Sequence, residues 1–217
     1  MRGAFAAIVS LQLALVNDFG LGTRRFAPFF EIAVLVPLTV LSLRAEYLAR
    51  DARTSEQWES AKLYHRLNFV LGVLLVVVIS LANGRSLLLL LHLLLAGATV
   101  DGRTLLLDAT NIWATNVIVF SVWYWVLDRG GPSLGKADHE GPAEFIFPQM
   151  TLADTAAADV KPGYVDYLFL SFCTSTAFSP TDTMPLTARM KLLMMLESIV
   201  SLLTLALVAA RAVNILA

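Results

Sequence analysis

The sequence predicts an all-helical (all-α) integral membrane protein with six membrane-spanning helices and a re-entrant pore loop between the fifth and the sixth. Composition is the first reason. Of the 217 residues, 57% are hydrophobic and 15% are charged, whereas soluble domains are about 45–50% apolar and about 25% charged. The second reason is the order of segments near the end of the chain: a short apolar run, an irregular polar stretch and one long apolar helix.

Residues 1–103 are predicted to form a four-span N-terminal membrane region. A helix needs about 20 apolar residues to cross a bilayer, so the first and fourth apolar runs are short. A cleaved signal peptide is the alternative for the first run, but VND at 16–18 offers no small-residue cleavage site. NGRS at 83–86 is predicted to be a tight turn between the third and fourth spans. The four spans cover residues 4–16, 26–43, 67–82 and 87–100.

Residues 104–217 are predicted to form a pore module. Its fifth span, at 104–127, is followed by a loop and then by an apolar run at 164–173 that is too short to cross a bilayer. The hydroxyl-rich, proline-containing stretch at 174–185 cannot be regular helix throughout, and a last span follows at 186–213. Backbone that leaves the helix at membrane depth is tolerated only inside protein or beside water. This order predicts a pore loop followed by its inner helix.

Three stretches of the pore module resemble potassium channels. SFCTSTAFSPTD at 171–182 is similar to the pore-helix end and filter, which reads SFVTLTTVGYGD in that family. MPLTAR at 184–189 resembles the proline-containing exit and arginine that follow the filter. The stretch at 197–211 resembles the second helix of two-span bacterial channels, close to EALVGQLYLALLVAR. The resemblance covers about the last quarter of the chain and implies a homotetramer around a four-fold axis.

The filter-like segment departs from the family at its centre. The five filter residues TVGYG correspond to AFSPT at 177–181. Glycines permit backbone angles that other residues adopt only at a cost, and proline fixes φ and lacks an N–H. A stack of backbone-carbonyl potassium sites is therefore not expected, and hydroxyls are the available ligands. The filter-like segment comprises Thr174, Ser175, Thr176, Ala177, Phe178, Ser179, Pro180, Thr181 and Asp182.

The resemblance and its departure together predict a homotetrameric channel in the lipid bilayer that passes monovalent cations with poor potassium selectivity. In a tetramer, Asp182 would form a ring of carboxylates at the rim, which favours cations over anions. The alternative is a non-conducting membrane protein that retains the channel fold for a structural or partner-binding role.

Polar side chains inside the two spans of the pore module are further candidates, because such groups are costly in a membrane. Interhelical hydrogen bonding and pore lining are both open for the asparagines, serines and threonines. The resemblance implies that Glu197 lies behind the pore helix and braces the filter; a carboxylate facing the pore is the alternative. Ser201 and Thr204 share the helical face of Glu197. The other candidates are Asp108, Asn111, Thr115, Asn116 and Ser198.

Orientation follows from the basic residues in short connections. The stretch at 44–66 carries five, against two in the preceding loop, so six spans would place it in the cytoplasm and the loop at 128–163 outside. Tryptophan and tyrosine at 123–125 fit an outer aromatic belt. LDRGGP, FPQM and AFSPTDTMPLT resemble a family of bacterial integral membrane proteins to which no activity is attached. A multi-pass protein of the bacterial cytoplasmic (inner) membrane is therefore predicted.

Other classes of function are not indicated. The net charge is −1, and no basic stretch points to a nucleic-acid partner. Cys173 is the only cysteine, which excludes an internal disulfide and a thiolate metal cluster. The sequence has no HExxH, GxSxG or paired-histidine motif. No enzymatic activity, catalytic residue, metal site or cofactor is predicted.

Overall fold

The computed structural model describes residues 55–97, 102–128, 143–151, 162–176 and 182–216. These ranges contain four α-helices, one short 3-10 helix and two strands of two residues each. The predicted spans at 4–16 and 26–43 lie outside the described residues. Positions 177–181 of the filter-like segment, which are Ala177, Phe178, Ser179, Pro180 and Thr181, also lie outside them.

Helix α1 runs over Ser55–Leu95 without interruption, so the predicted turn at 83–86 is wrong. Two polar side chains of this stretch have hydrogen-bond partners without a turn. Ser86 Oγ donates to the carbonyl of Ala82 at 3.0 Å, one turn back in the same helix. Asn83 Nδ2 donates to the carbonyl of Ile112 at 3.2 Å. The predicted third and fourth spans are therefore one candidate span, Phe69–Leu95.

The glycine that ends α1 is Gly97. Its φ of 71° is the left-handed conformation common just after a helix, and its N–H donates to the carbonyl of Leu94 at 3.1 Å. Gly84 lies inside the helix, and a Cβ added there would meet nothing within 4 Å. An added Cβ would have open space at both glycines, and only Gly97 has a positive φ.

Helices α2, Gly102–Leu127, and α4, Ala188–Leu216, contain no proline and no interior glycine. Both are long and apolar enough to cross a membrane over Thr104–Leu127 and Ala188–Ala210. This confirms a helix in the place of the predicted fifth span and another in the place of the last. Within the described residues, three helices meet this criterion.

Helix α3, Tyr164–Thr176, has 13 residues and is about 20 Å long, too short for a hydrocarbon core of about 30 Å. Asp166 caps its start, because its Oδ2 accepts from the N–H of Gly163 at 2.6 Å, as an acidic residue in the first turn can do. The helix extends three residues beyond the predicted 164–173. Thr174 and Thr176 continue it by donating to the carbonyls of Leu170 and Phe172.

The two strands were not predicted. Strand β1, Phe145–Ile146, pairs antiparallel with β2, Met184–Pro185, so that Phe145 lies opposite Pro185. The N–H of Leu186 donates to the carbonyl of Glu144 at 2.9 Å and extends the pairing. A short 3-10 helix, Pro148–Thr151, follows β1. The all-helical prediction thus missed this short antiparallel pairing, which joins the loop before α3 to the residues before α4.

The chain divides into two compact units, residues 1–79 with 132–139 and residues 80–131 with 140–217. In the first unit the structure describes only the beginning of α1, where Val76 and Ile79 are buried and Leu74 is exposed. The predicted boundary between residues 103 and 104 stays a prediction.

Helices α2, α3 and α4 pack together in the second unit around an aromatic core. The rings of Phe147 and Tyr167 meet edge to face with centroids 5.0 Å apart, and those of Tyr124 and Phe145 do so at 5.4 Å. In a membrane such packing, rather than removal from water, holds helices together. The buried core consists of Phe120, Tyr124, Phe145, Phe147, Tyr167, Leu170 and Met190.

Helix α3 runs beside α2 in the opposite direction. At its start, Tyr164 contacts Trp125, with ring centroids 5.4 Å apart. Nearer its end, Phe172 contacts Trp113, with ring centroids 5.8 Å apart. Moving forward along α3 therefore means moving backward along α2, which places the end of α3 beside the middle of α2.

Candidate functional site

Glu197 of α4 occupies the centre of a fully buried polar cluster. Its side chain is 0% exposed. The carboxyl group contacts the hydroxyl of Tyr124 from α2 and the hydroxyls of Ser171 and Ser175 from α3. The Ser175 contact measures 2.8 Å. All three partners are uncharged hydroxyls, so a single carboxyl group joins three helices without an ion pair.

The spacing of the two serines explains how α3 is held. Ser171 and Ser175 are four residues apart and therefore lie on one face of the helix. Ser171 Oγ also lies 2.7 Å from the carbonyl oxygen of Val117 in α2. Both serines are buried. Together these contacts fix α3 against both long helices.

A second polar contact lies one turn farther along α4. Asn116 Nδ2 of α2 donates to Ser201 Oγ at 2.9 Å and lies 3.4 Å from the carbonyl oxygen of Glu197. Thr204 donates to the carbonyl of Val200 at 2.8 Å, within its own helix. The structure thus places Glu197, Ser201 and Thr204 on the buried face of α4, and interhelical hydrogen bonding accounts for Ser201.

The filter-like residues that the structure describes lie on two different elements. Thr174, Ser175 and Thr176 form the last turn of α3, where their hydroxyls donate to backbone carbonyls or to Glu197. Ser198 Oγ of α4 lies 3.4 Å from the carbonyl oxygen of Thr174. Asp182 is exposed and precedes β2. Where hydroxyls were expected to offer ligands, three of them already act as donors within the protein.

A second polar cluster, which the sequence did not reveal, is centred on the buried side chain of Glu144. We call it the Glu144 cluster and define it by Asp128, Glu144, Tyr167, Thr187 and Arg189. The Glu144 carboxylate accepts hydrogen bonds from Thr187 and Arg189. The Glu144 N–H donates to Asp128 Oδ1 at 2.7 Å, and the Tyr167 hydroxyl donates to Asp128 Oδ2 at 2.6 Å.

The Glu144 cluster brings four parts of the chain together at one end of the helices. Asp128 follows α2, Glu144 precedes β1, Tyr167 lies in the first turn of α3, and Arg189 lies in the first turn of α4. The hydrogen bond from Arg189 holds the pKa of Glu144 below its ordinary value, against the opposing effect of burial. In the sequence, only the arginine of MPLTAR pointed to this cluster, because no local pattern distinguishes Glu144 from the other acidic residues of its loop.

Among the predicted polar residues of α2, the structure gives different outcomes. Asn116 bonds to α4, as described above, and Thr115 is buried. Asp108 is half-buried. Asn111 Oδ1 and Trp113 Nε1 are buried and have no hydrogen-bond partner. The spacing of Asp108, Asn111 and Thr115 places them on one face of a helix, but no hydrogen bond described here joins them to the Glu197 cluster.

Metal-ligating side chains do not gather in the described part of the chain, where no group of three or more His, Cys, Asp or Glu could hold an ion. Comparisons with protein-family models, with curated proteins and with solved structures found no match. The contacts among α2, α3 and α4 are therefore the observations from which a function has to be inferred.

Proposed function

We propose that the chain is one subunit of a pore-loop membrane protein that conducts monovalent cations with little discrimination between potassium and sodium. The observation that carries the proposal is the order of α2, α3 and α4. Two helices long enough to span flank one that is too short, and the Glu197 cluster holds the short helix between them.

The depth of α3 supports a re-entrant course. Phe172 contacts Trp113, which lies 14 residues before the end of α2, or about 21 Å along its axis. Because α2 is about 39 Å long, the end of α3 lies near its middle. The chain then returns to the level of the Glu144 cluster, since the N–H of Leu186 donates to the carbonyl of Glu144. A descent as helix and a return within ten residues is the course expected of a pore loop.

A single α3 cannot enclose a pore, so the proposal requires several copies, and the resemblance to potassium channels favours four. The outer face of α3 supports this. Val165, Phe169 and Phe172 are spaced as one helical stripe, and 74%, 61% and 47% of their surfaces are exposed. On α4, Leu192, Met195 and Ile199 are exposed as well. Neighbouring copies would cover these apolar faces.

Selectivity follows from the chemistry of the filter-like segment. Without glycine at 177–181 and with Pro180 in place of a residue that has an N–H, successive carbonyls cannot readily converge on one axis. A wider path lined by hydroxyls discriminates poorly between cations of similar size. The exposed Asp182 at the rim, repeated by symmetry, would select cations over anions by its charge.

Bilayer recordings of the purified oligomer test the proposal. We expect currents carried by potassium and sodium alike, and we expect Asp182→Asn to lower cation flux because it removes charge and preserves size. Asp182→Glu is the matched control, since it retains the charge and should retain the flux. Native mass spectrometry of each variant checks that the tetramer persists.

Each other outcome is informative. Strong potassium selectivity would refute the argument from the filter-like segment. A protein found only as monomers or dimers would remove the shared pore. An intact tetramer that carries no current under any condition would favour the non-conducting alternative, in which the channel fold serves a structural or partner-binding role.

A further inference from the structure

Ser171 makes two contacts, and its single hydroxyl proton can form a near-linear hydrogen bond with only one of the two partners. Its Oγ lies 2.7 Å from the carbonyl oxygen of Val117, a usual distance for an O–H···O hydrogen bond. The same Oγ lies within hydrogen-bonding distance of Glu197 Oε1. A serine hydroxyl has one proton to donate and two lone pairs that accept. The direction of each bond can therefore be worked out.

The contact with Val117 fixes the serine proton. A backbone carbonyl can only accept, so the proton between Val117 and Ser171 must come from Ser171. The proton of the second contact must then come from Glu197, because Ser171 has none left. An ionised carboxylate has no proton, and it would face the Ser171 oxygen lone pair against lone pair. A carboxylic acid satisfies both contacts.

The remaining contacts of the cluster agree with this assignment. Ser175 and Tyr124 each have one proton and each contact a carboxyl oxygen of Glu197. A neutral carboxylic acid keeps acceptor capacity for both while it donates one bond of its own. The chain of donors then runs from Ser175 to Glu197, from Glu197 to Ser171 and from Ser171 to Val117, with every group satisfied.

Among the described residues that contact Glu197, none carries a positive charge that could balance a carboxylate. Helix α2 contributes the Tyr124 phenol and helix α3 contributes the two serine hydroxyls. Asn116 of α2 lies near the backbone carbonyl of Glu197 and bonds to Ser201 of α4. Burying an unpaired carboxylate is far more costly than burying the neutral acid.

We propose that Glu197 is a proton-binding site, and that it remains a neutral glutamic acid in the folded protein at neutral pH. The proton holds the short helix in place, because it supplies the one donor that the Ser171 contact lacks. This inference rests on the contacts of Glu197 alone and stands whether or not the protein conducts ions.

Infrared spectroscopy of the purified protein tests the proposal directly. Ordinary aspartates and glutamates have pKa values of about 3.9 and about 4.3, so at neutral pH a protonated carboxyl band marks an unusual group. We expect such a band in the wild type, shifted by deuterium exchange and by carbon-13 labelling of glutamate. It should be absent from Glu197→Gln. Asp128→Asn, which alters another buried carboxyl, is the matched control and should retain the band.

Replacing Glu197 with glutamine also tests for the proton, because glutamine has nearly the same shape as neutral glutamic acid. Its Nε2 can donate to Ser171 and its Oε1 can accept from Tyr124, as the neutral acid does. Only the Ser175 contact changes direction, because Ser175 would accept from the second N–H instead of donating. Glu197→Gln should therefore unfold close to the wild-type temperature, whereas Glu197→Ala should unfold well below it. If Glu197 were ionised, Glu197→Gln would instead unfold well below the wild-type temperature, because the amide would replace a charge that the hydroxyls stabilise.

Two results would overturn the proposal. The first is a labelled wild-type protein without a protonated glutamate band at neutral pH, which needs no variant and so cannot be confused with misfolding. The second is a band that persists unchanged in a folded Glu197→Gln protein, because the proton would then belong to another glutamate. These two spectroscopic tests do not depend on ion conduction, so they would separate a failure of this proposal from a failure of the proposed channel function.

Discussion

Glu144 connects four neighbours through one residue, with its backbone bonded to Asp128 and Leu186 and its side chain to Thr187 and Arg189. The side chain is buried. Replacement by a neutral amide leaves the same shape but brings N–H donors toward the guanidinium of Arg189. Because 61% of the Arg189 side chain is exposed, solvent screens this charge-assisted pair, and we expect a small but measurable contribution to stability.

We predict that Glu144→Gln lowers the unfolding temperature by roughly 2–4 °C, the shift expected for loss of about one hydrogen bond in a chain of this size. Thermal unfolding in mild detergent measures it. The double variant Glu144→Gln/Arg189→Gln should cost little more than the single one, because both remove the same contact. Losses that simply add would show that the two residues act independently.

The difference in unfolding temperature between the wild type and Glu144→Gln should change with pH in a direction that can be predicted. Because Arg189 lowers the pKa of Glu144, the folded state binds the Glu144 proton more weakly than the unfolded state. The stabilisation is complete above the unfolded value of about 4.3 and is lost as the pH falls through the lower folded value. The gap between wild type and Glu144→Gln should therefore narrow on acidification. A gap that is constant down to about pH 3 would contradict this linkage.

At the scale of single residues, the sequence marked Glu197 as a candidate but gave no indication of Glu144. Glu197 is a lone acidic residue in a long apolar helix, and its cost in a membrane marks it at once. Glu144 is one of several acids in a polar loop. What distinguishes it is burial against Asp128, Thr187 and Arg189, and these contacts span up to 45 residues of sequence. No local pattern encodes them.

At the level of elements, the chief difference from the sequence prediction is the continuity of α1. An Asn-Gly pair between apolar runs is a usual turn signal, and it failed here for a tertiary reason. The Asn83 side chain bonds to a carbonyl of α2, which a turn would have moved away. The continuous helix also keeps the backbone N–H and C=O groups at 83–86 hydrogen-bonded. Unpaired backbone groups are especially costly in a membrane.

The two glycines of α1 offer a matched test of this continuity. Both Gly84 and Gly97 have open space where a Cβ would be added, but only Gly97 has a positive φ. Gly84→Ala should raise stability by about 0.4–1 kcal/mol, because it lowers the entropy of the unfolded chain. Gly97→Ala should lower stability by about 1 kcal/mol, because alanine is strained in the left-handed region.

Chemical or thermal unfolding of both variants in one detergent gives the comparison. If the chain turned at 83–86 with Gly84 in a left-handed conformation, both variants would be destabilised. Opposite signs for the two substitutions are the result that a continuous helix requires.

The other helices were largely predictable. Long runs free of proline and glycine predicted α2 and α4, and the length of one apolar run predicted that α3 is too short to span. The end of α3 was missed by three residues, because Thr174 and Thr176 looked like loop residues in sequence. Their hydroxyls instead bond to carbonyls one turn back, a pattern that lets threonine remain inside a helix.

At the scale of the whole molecule, a continuous α1 changes the count of membrane crossings. Between residue 55 and residue 133 the sequence predicted three crossings and therefore opposite sides of the membrane. If both candidate spans, Phe69–Leu95 and Thr104–Leu127, cross the membrane, the chain makes two crossings and returns to the same side. The basic connection at 44–66 predicts that this side is cytoplasmic, whereas the resemblance to potassium channels predicts that the loop before the pore helix lies outside.

Cysteine labelling decides between these counts. We predict that cysteines introduced at Ser55 and Ser133, in a Cys173→Ala background, react with an impermeant thiol reagent from the same side of sealed vesicles. Vesicles of inverted orientation are the control, and both sites should change together. Labelling from opposite sides would mean an odd number of crossings, and hence a break in α1 within the membrane.

The Glu197 cluster also sets an order of events during synthesis. A chain made from its N-terminus exposes α2 and α3 before α4 exists. Until α4 arrives, Tyr124, Ser171 and Ser175 lack the carboxyl group that they share, and Glu144 lacks both of its side-chain partners. The short helix therefore has its contacts with α2 but lacks those with α4 until the last helix has been translated. Ribosome-stalled chains that end before residue 188 should leave α3 accessible to protease, and release of the full chain should protect it.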